Sequence, residues 1–514
     1  MDVSDNPEMA VCLDDCRESD SGILAPFARL PVLTIAGAAA AALLAVSGRF
    51  GYFGDELYFL ASGKYHPAWG YEDNPWLLPQ LARLLELMFP GSVAGMRLLP
   101  MLLTTIGVVL CALIAREFGG AARAQTTAAA AYALSFQLLA SGHLLATSTV
   151  DPFCWVLVSW LVVRWVRIRD DRLLLYAGIV TAIAMQAKFL ICFFWLGLAA
   201  GALIAGPREL LRRPLLWAGG AITVLLTVPT IIWQADNDWP YLLMRQVVFE
   251  QDQRLLGGPL AMVPLAVLMA GLLAGAFLAC HGFYCLLRAP ELREYRLLGW
   301  ACVVVPLVLA VSADRYYYLA GLYAVLFAAS AARIERCPPA RWWRWVPTWP
   351  VFALSAPLAI YFSLPVRPAD GLTGVTLVDF VSSGSYGWPQ LAETTASAYR
   401  RLPPDLRAHT AVIGDSYWQA SALDVYGRAD GLPAAYGPER GYWYARRPPA
   451  TTRQVLYVGG DGRWIGEFFN SVRRVDTIHL AHGSSELANQ DVPVWLCAEP
   501  RAPLNRLWDR IHRP

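Results

Sequence analysis

The chain has little charge. Asp, Glu, Lys and Arg make up 16% of its 514 residues against 56% hydrophobic residues, with a mean hydropathy of +0.40, and this excludes an ordinary soluble globule. A polytopic membrane protein fits. No dense Lys/Arg block is present and the net charge is only +2, which excludes a nucleic-acid partner, whose phosphates demand a basic face. A cysteine framework is missing too. The ten cysteines are scattered, and Cys111, Cys154, Cys192, Cys280 and Cys302 sit inside apolar runs as small buried hydrophobes. Cys12 and Cys16 are too few for a metal site and Cys497 stands alone, so no disulfide framework is expected. "VGGDG" at Val458–Gly462 lacks the G-x-G-x-x-G or G-K-[ST] spacing that cradles phosphate and reads as a strand-to-turn connection. The first thirty residues lack the basic flank and cleavage site of a signal peptide, so the first span is expected to stay as an anchor. Residues 1–28, polar and acidic, read as a disordered cytoplasmic tail.

Long apolar runs are abundant. Crossing a hydrocarbon core of about 30 Å takes about 20 apolar residues. On that criterion the spacing predicts about eleven spans, near 30–48, 97–115, 124–141, 150–166, 172–187, 189–206, 214–233, 260–287, 297–312, 316–332 and 345–363. With the N-terminus inside, the cytoplasmic loops ("RWVRIRDDR", "PRELLRRP", "RIERCPPARWWR") carry about eighteen Lys/Arg against roughly six in the short outer loops. That bias places the loop after the first span, the segment around His143–Asp151, Lys188, the loop 234–259, Asp314–Arg315 and everything after about 364 on the extracytoplasmic side. After Leu364, strand-like runs "TAVIG", "QVLYVGG", "VDTIHLA" and "PVWLC" alternate with helix-like segments such as "WPQLAETTASAYRRL", which predicts an α/β domain over 364–514 behind a membrane domain over 29–363.

The first outer loop, 49–95, is polar and aromatic. Phe53, Leu57, Leu60 and Ala61 fall on one helical stripe, and Asp55, Tyr58, Phe59 and Ser62 on another, as in a short helix lying in the membrane interface. Asp55 and Glu56 are about 100° apart on such a helix, so one carboxylate can act while the other supports it or is solvated. Asn74 followed by Pro75 reads as the N-cap and first position of a second amphipathic helix, its free amides turned toward an anion site. An ordinary amphipathic surface loop is the alternative. Asp151, before Pro152, has its simplest role as N-cap of the fourth span. Lys188 interrupts a long hydrophobic stretch where two short helices meet, either as a snorkelling side chain or as a functional cation. His143 lacks carboxylate or cysteine partners and is read as structural, so no metal ligand set is expected.

Taken together, the D-E pair after the first span, "HPAWGYEDNPWLLPQLARL", "GMRLLP", "TVDPFCWVLVSW", "AIAMQAKFL", "PTIIWQADNDWP", "RYYYLAGLYAVLFAAS", "GWPQL" and "GDSYWQASALDVYG" resemble, in order, the GT-C membrane glycosyltransferases. The resemblance is to the glycosyltransferase family 39 and aminoarabinose-transferase-like group, relatives of the dolichyl-phosphate-mannose protein mannosyltransferases. It implies a mainly α, polytopic GT-C bundle with a C-terminal extracytoplasmic α/β domain. The implied activity is inverting transfer of a sugar from a polyprenyl-phosphate donor to an acceptor glycan, lipid or protein hydroxyl outside the cytoplasm. By the same resemblance Asp55 is the base with Glu56 beside it, and Asp151 orients the acceptor or tunes the base. The resemblance further implies that Lys188, Arg245, Arg254, Tyr316 and Tyr317 contact the lipid phosphate, although for the tyrosines an interfacial anchor is an equal reading. Asn74–Pro75 departs from the His-Pro or Lys-Pro common in the family, and Trp76 stands where a second proline is frequent, so transfer of a phosphate-holding role to Asn74 is in doubt. No cofactor is required by this reading, while divalent ions, used by some GT-C enzymes, stay open. The competing classes are a transporter or flippase of lipid-linked sugars and a non-catalytic scaffold; the former is disfavoured by the absence of paired repeats and by polar residues gathered on one side rather than at the midplane.

Overall fold

The computed structural model describes residues 24–312, 315–369, 379–480 and 491–513. Most of the expected N-terminal tail, Asp314 and the end of the "VDTIHLA" run lie outside the described residues, as does the side chain of Arg254. Among the described residues six helices are long and apolar enough to cross a membrane: Arg29–Val46, Val93–Glu117, Thr147–Ile168, Pro214–Asp236, Pro290–Ser312 and Tyr316–Arg336. A seventh span forms if Pro259–Met269 and Ala274–Arg288, bent by 113° at their junction, count as one. Arg172–Met185, Ile191–Ile204 and Trp349–Ser363 are shorter apolar helices. Rising about 1.5 Å per residue, helices of this length reach only about 20 Å, less than the hydrocarbon core. The expected span at 124–141 is broken into Ala122–Ala133 and Phe136–Gly142, with Ser135 capping the second piece through Leu138 N–H. Hydropathy counts apolar residues and is blind to such a break. Where Arg172–Met185 crosses Pro214–Asp236, Gly178 faces Gly219 so closely that a Cβ on Gly178 would lie 2.3 Å from the other backbone, the small-residue contact that lets membrane helices pack.

The segment after Trp349–Ser363 contains the strands β1 (Thr410–Gly414), β2 (Ala435–Tyr436), β3 (Gln454–Val458), β4 (Phe469–Ile478) and β5 (Val492–Pro500). They form a five-stranded mixed sheet in the order β2-β1-β3-β5-β4. β1 pairs in parallel with β2 and β3, while β5 runs antiparallel between β3 and β4, with Leu456 opposite Leu496. The period-two alternation of strand side chains separates two faces. Val412, Leu456 and Val494 join the apolar core that continues into the helical part, together with Trp388 and Leu391 of the helix Trp388–Arg400. Ile413, Val455, Tyr457 and Cys497 face the other way, onto Leu504, Leu507, Trp508 and Ile511 of the last helix. One core therefore runs through the bundle and into the sheet.

The first loop lies between these two parts, which corrects the expectation of an exposed interfacial helix. The helix Gly54–Tyr65 does form, but Glu56 through Gly63 are buried. The C-terminal part covers it: Gly54 N–H donates to the Gly384 carbonyl at 3.1 Å, and Gly441 N–H donates to the Tyr58 hydroxyl at 3.2 Å. His66 meets the fully buried Asp424 at 3.0 Å, and Asp424 also accepts from Tyr442, Arg428 and Ala435 N–H. Burial by itself would raise the Asp424 carboxyl; the His66 hydrogen bond and Arg428 outweigh it and hold the group below its ordinary value. From beneath, Gln234 donates to the Tyr71 carbonyl at 2.9 Å and Thr230 to the Trp69 carbonyl at 2.9 Å. The loop is held on both sides.

Candidate active site

Neighbouring carboxylates on the Gly54–Tyr65 helix face different partners, as a 100° step allows. Glu56 turns inward and is fully buried. Its Oε1 accepts from Arg97 Nε at 3.2 Å and Leu145 N–H at 3.1 Å, and its Oε2 from Arg97 Nη2 at 2.8 Å and Phe53 N–H at 2.9 Å. Arg97 spends its other donors on the carbonyls of Ser47, Arg49 and Gly51. His143 Nε2 lies 3.2 Å from the Val46 carbonyl and 3.4 Å from Arg97. Burial, and then Arg97, push this imidazole down to about 3, so it stays neutral. Glu56, one of the residues expected to meet substrate, is thus engaged by four protein donors, and this pair pins the first loop to the mouth of the bundle.

Asp55 turns outward and is half-buried. Its Oδ1 accepts from the Tyr417 hydroxyl and from Trp418 Nε1, both at 2.8 Å. Among the described residues no hydrogen bond is made to its Oδ2. Both donors belong to the C-terminal domain, on the short helix Tyr417–Ala422, whose start is fixed by a reciprocal cap between Ser416 and Gln419. A third side chain from that domain follows. Arg440 lies over the Tyr417 ring at 4.0 Å and donates to Asp73 Oδ2 at 2.8 Å. Its φ is +49°, in the left-handed region that a residue with a Cβ seldom occupies. Asp73 Oδ1 accepts from Tyr58 at 3.1 Å, and the Asp73 carbonyl accepts from Lys188 Nζ at 3.0 Å. Lys188, one of only two lysines in the chain, sits in the break between Arg172–Met185 and Ile191–Ile204 with Tyr241 and Tyr318 around it. The side chain is therefore turned toward the first loop. A continuous string of contacts links Asp55, Tyr417, Arg440, Asp73 and Lys188.

The remaining expected residues take varied places. Tyr316 is buried and packs edge-on against Tyr317, which in turn contacts Tyr318; Tyr318 and Thr147 share a hydroxyl hydrogen bond of 3.1 Å. Arg315, next to them, donates to Gln251 at 3.0 Å and lies close enough to Arg440 for the two positive charges to oppose each other. Arg245 donates to the Ser312 carbonyl at 3.2 Å. Two expectations about caps are overturned. The second loop helix begins at Leu77, with Trp76 before it, and Asn74 is instead buried in the preceding turn with its amide on the Pro75 carbonyl; the chain turns back through Tyr71 N–H to the Asn74 carbonyl and cannot start a helix there. Asp151 is likewise no cap, because its helix starts four residues earlier at Thr147, leaving the carboxylate fully buried in the first turns. Among the described residues no three His, Cys, Asp or Glu side chains converge as metal ligands.

Tyr417, Trp418, Arg440 and Asp73 were not singled out as site residues by the sequence. Tyr417 and Trp418 fall in the "GDSYWQASALDVYG" stretch that carries the family resemblance, so a signal existed; Arg440 sits in an arginine-rich segment with no pattern of its own.

The comparisons agree with this architecture. The family model of dolichyl-phosphate-mannose-protein mannosyltransferase matches residues 73–233. No curated protein matches the chain in sequence. Among solved structures, ArnT from Cupriavidus metallidurans bound to undecaprenyl phosphate superposes with a TM-score of 0.59 at 14% identity, covering 90% of this chain and 97% of that one. The apo state of the same protein gives 0.59 at 12% identity, over 94% and 99% of the two chains. Arabinofuranosyltransferase AftD from Mycobacteria gives 0.50 at 16% identity, over 92% of this chain and 42% of that one. In fold and in the matched segment, the chain is similar to the GT-C membrane glycosyltransferases of the family 39 and aminoarabinose-transferase-like group.

Proposed function

We propose that the chain is an inverting glycosyltransferase that moves a sugar from a polyprenyl phosphate to an acceptor hydroxyl on the extracytoplasmic side of the membrane. The observation that carries this reading is the string from Asp55 to Lys188, which sets a half-open carboxylate beside cations held on Asp73. Asp55 takes the proton of the acceptor hydroxyl. The acceptor oxygen then forms its bond to the anomeric carbon from the face opposite the phosphate. As the bond from that carbon to the phosphate oxygen breaks, its electron pair leaves with the lipid phosphate. Lys188 and Arg440 offset the growing negative charge where water is scarce. A single displacement of this kind needs one base and no nucleophilic side chain.

The same end of the bundle carries the first loop and the C-terminal domain, and the arginine bias of the other loops supports an extracytoplasmic reading of that side. Loss of the activity should leave its donor unused. Lipid extracts from a strain lacking this chain should accumulate a polyprenyl-phosphate sugar, and re-expression of the wild type, but not of Asp55→Asn, should clear it. Unchanged lipids in the deletion strain, or clearance by Asp55→Asn, would overturn the reading.

A further inference from the structure

We infer that the C-terminal domain supplies part of the active site itself: Tyr417 and Trp418 are positioning residues that hold Asp55 through one oxygen and leave the other for the acceptor. The inference rests on the reading of Asp55 as the base. Both donors converge on Oδ1 at 2.8 Å, the short distance of hydrogen bonds to a charged acceptor. Two donors on one oxygen fix the torsion of a short side chain, and Oδ2 keeps its lone pairs. A base must meet its proton within hydrogen-bond reach, and misplacement of about 1 Å can cost on the order of 10² in rate.

Neither donor is free to wander. The Trp418 indole packs against Phe53, Phe380 and Trp388, with ring centroids 5.1, 6.2 and 6.2 Å away. It also lies flush on Gly54, the residue before the base, where a Cβ would come within 2.2 Å of the ring. Tyr417 is wedged between Arg440 at 4.0 Å and the Tyr58 ring at 5.1 Å, and its amide donates to Glu439 at 3.3 Å. Each donor is therefore locked by packing, as a supporting group must be if it is to hold a reacting one. A surface contact between domains would not need two polar hydrogens aimed at the same carboxylate oxygen.

Phenylalanine removes each polar hydrogen and keeps an aromatic ring. Tyr417→Phe, Trp418→Phe and the double variant would be compared with wild type and Asp55→Asn in nanodiscs, using as donor the lipid-linked sugar purified from the deletion strain. Binding of undecaprenyl phosphate would be measured in parallel. The expected result is a fall in kcat of roughly 10-fold for each single variant and on the order of 10² for the double, with KM for the donor and affinity for undecaprenyl phosphate within about 2-fold. Introducing Tyr417→Phe into the Asp55→Asn background should cost nothing further, because residues acting as one unit are not additive; a merely structural loss would add to it. If Asp55→Asn is inactive but both single variants keep wild-type kcat, the inference fails and the function stands. If Asp55→Asn keeps its turnover, the reading beneath it fails and the inference with it. Tyr417→Phe deletes one oxygen and keeps the ring's contacts with Tyr58 and Arg440, and it decides the matter even if the double variant does not fold.

Discussion

Two charged centres lie one residue apart on the same short helix, and they are built on opposite plans. Around Glu56 every carboxylate oxygen is occupied, the partner Arg97 is buried, and all the contacts come from the first loop and the nearby ends of the bundle. Around Asp55 one oxygen is held and the other, among the described residues, is not, and the holding groups arrive from more than 360 residues away in sequence. A saturated buried ion pair fixes a geometry but has nothing left to offer a ligand. A half-satisfied carboxylate beside strained, cation-bearing backbone costs folding energy, and such arrangements gather where chemistry is done.

The sharpest way to break this comparison is to neutralise each carboxylate in turn. Asp55→Asn should lower turnover by roughly 10² to 10⁴, with thermal stability near wild type because Asp55 is only half-buried. Measured in purified, folded protein, near-normal turnover would remove the distinction. Glu56→Gln or Arg97→Met should do the reverse. Removing one member of a buried pair strands the other and costs about 3 to 5 kcal/mol of stability, so yield and melting temperature should collapse while the surviving folded molecules turn over normally. A stable but inactive Glu56→Gln would place that residue in the chemistry.

A smaller effect separates phosphate holding from proton removal. Lys188→Ala deletes a cation whose Nζ is 3.0 Å from the Asp73 carbonyl, and a hydrogen bond to a charged group is worth about 1.5 to 3 kcal/mol. Affinity for undecaprenyl phosphate should fall by roughly 10- to 100-fold, whereas Asp55→Asn should bind it normally. Arg440→Lys should retain part of the function, since ammonium keeps the charge but loses the planar fork that can grip two oxygens. Unaltered binding in Lys188→Ala would return that side chain to a snorkelling role.

Much of the fold was legible because it depends on local pattern. Apolar runs mark the helices, β-branched runs mark β1, β3 and β5, and "WPQLAETTASAYRRL" marks the helix Trp388–Arg400. Helix ends were less legible: Asn74 and Asp151 have the chemistry of caps, yet tertiary contacts moved both starts. The site was half visible. The acidic pair shows itself by position, whereas Asp73, Tyr417, Trp418 and Arg440 meet only when the sheet docks onto the loop, and no local rule brings residues 55 and 418 together. The two-sided burial of the Gly54–Tyr65 helix was hidden for the same reason, since an amphipathic stripe cannot say whether lipid, water or another domain will cover the second face.

The smallest expected effect concerns a third carboxylate, which belongs to neither plan. Glu72 is fully buried, and among the described residues neither of its oxygens has a hydrogen-bond partner. His512, stacked on Trp443 at 4.1 Å, approaches only to 4.0 Å. Burial first, then the adjacent Asp73, against an opposing pull from Arg440, pushes the Glu72 carboxyl from 4.5 up to about 8. Between those values the folded chain keeps a proton that the unfolded chain releases. The resulting stability is fully present below about 4.5 and is lost as pH rises through about 8, with a slope of at most about 1.4 kcal/mol per pH unit for one proton. His512 is shifted the other way, below 6.5, mainly by burial and against Asp509, so a window from about pH 7 to 9 lies above the ordinary histidine range. Glu439 and the Cys497 thiol, both raised by burial, are common to the wild type and a Glu72 variant and drop out of their difference. Glu72→Gln keeps the shape and cannot ionise. Its melting temperature should therefore fall less across that window than the wild type's, the two being most alike near pH 7 and furthest apart near pH 9. Parallel declines would mean that Glu72 is already ionised at pH 7, and that a charge is carried in the first loop beside Asp73 without a partner.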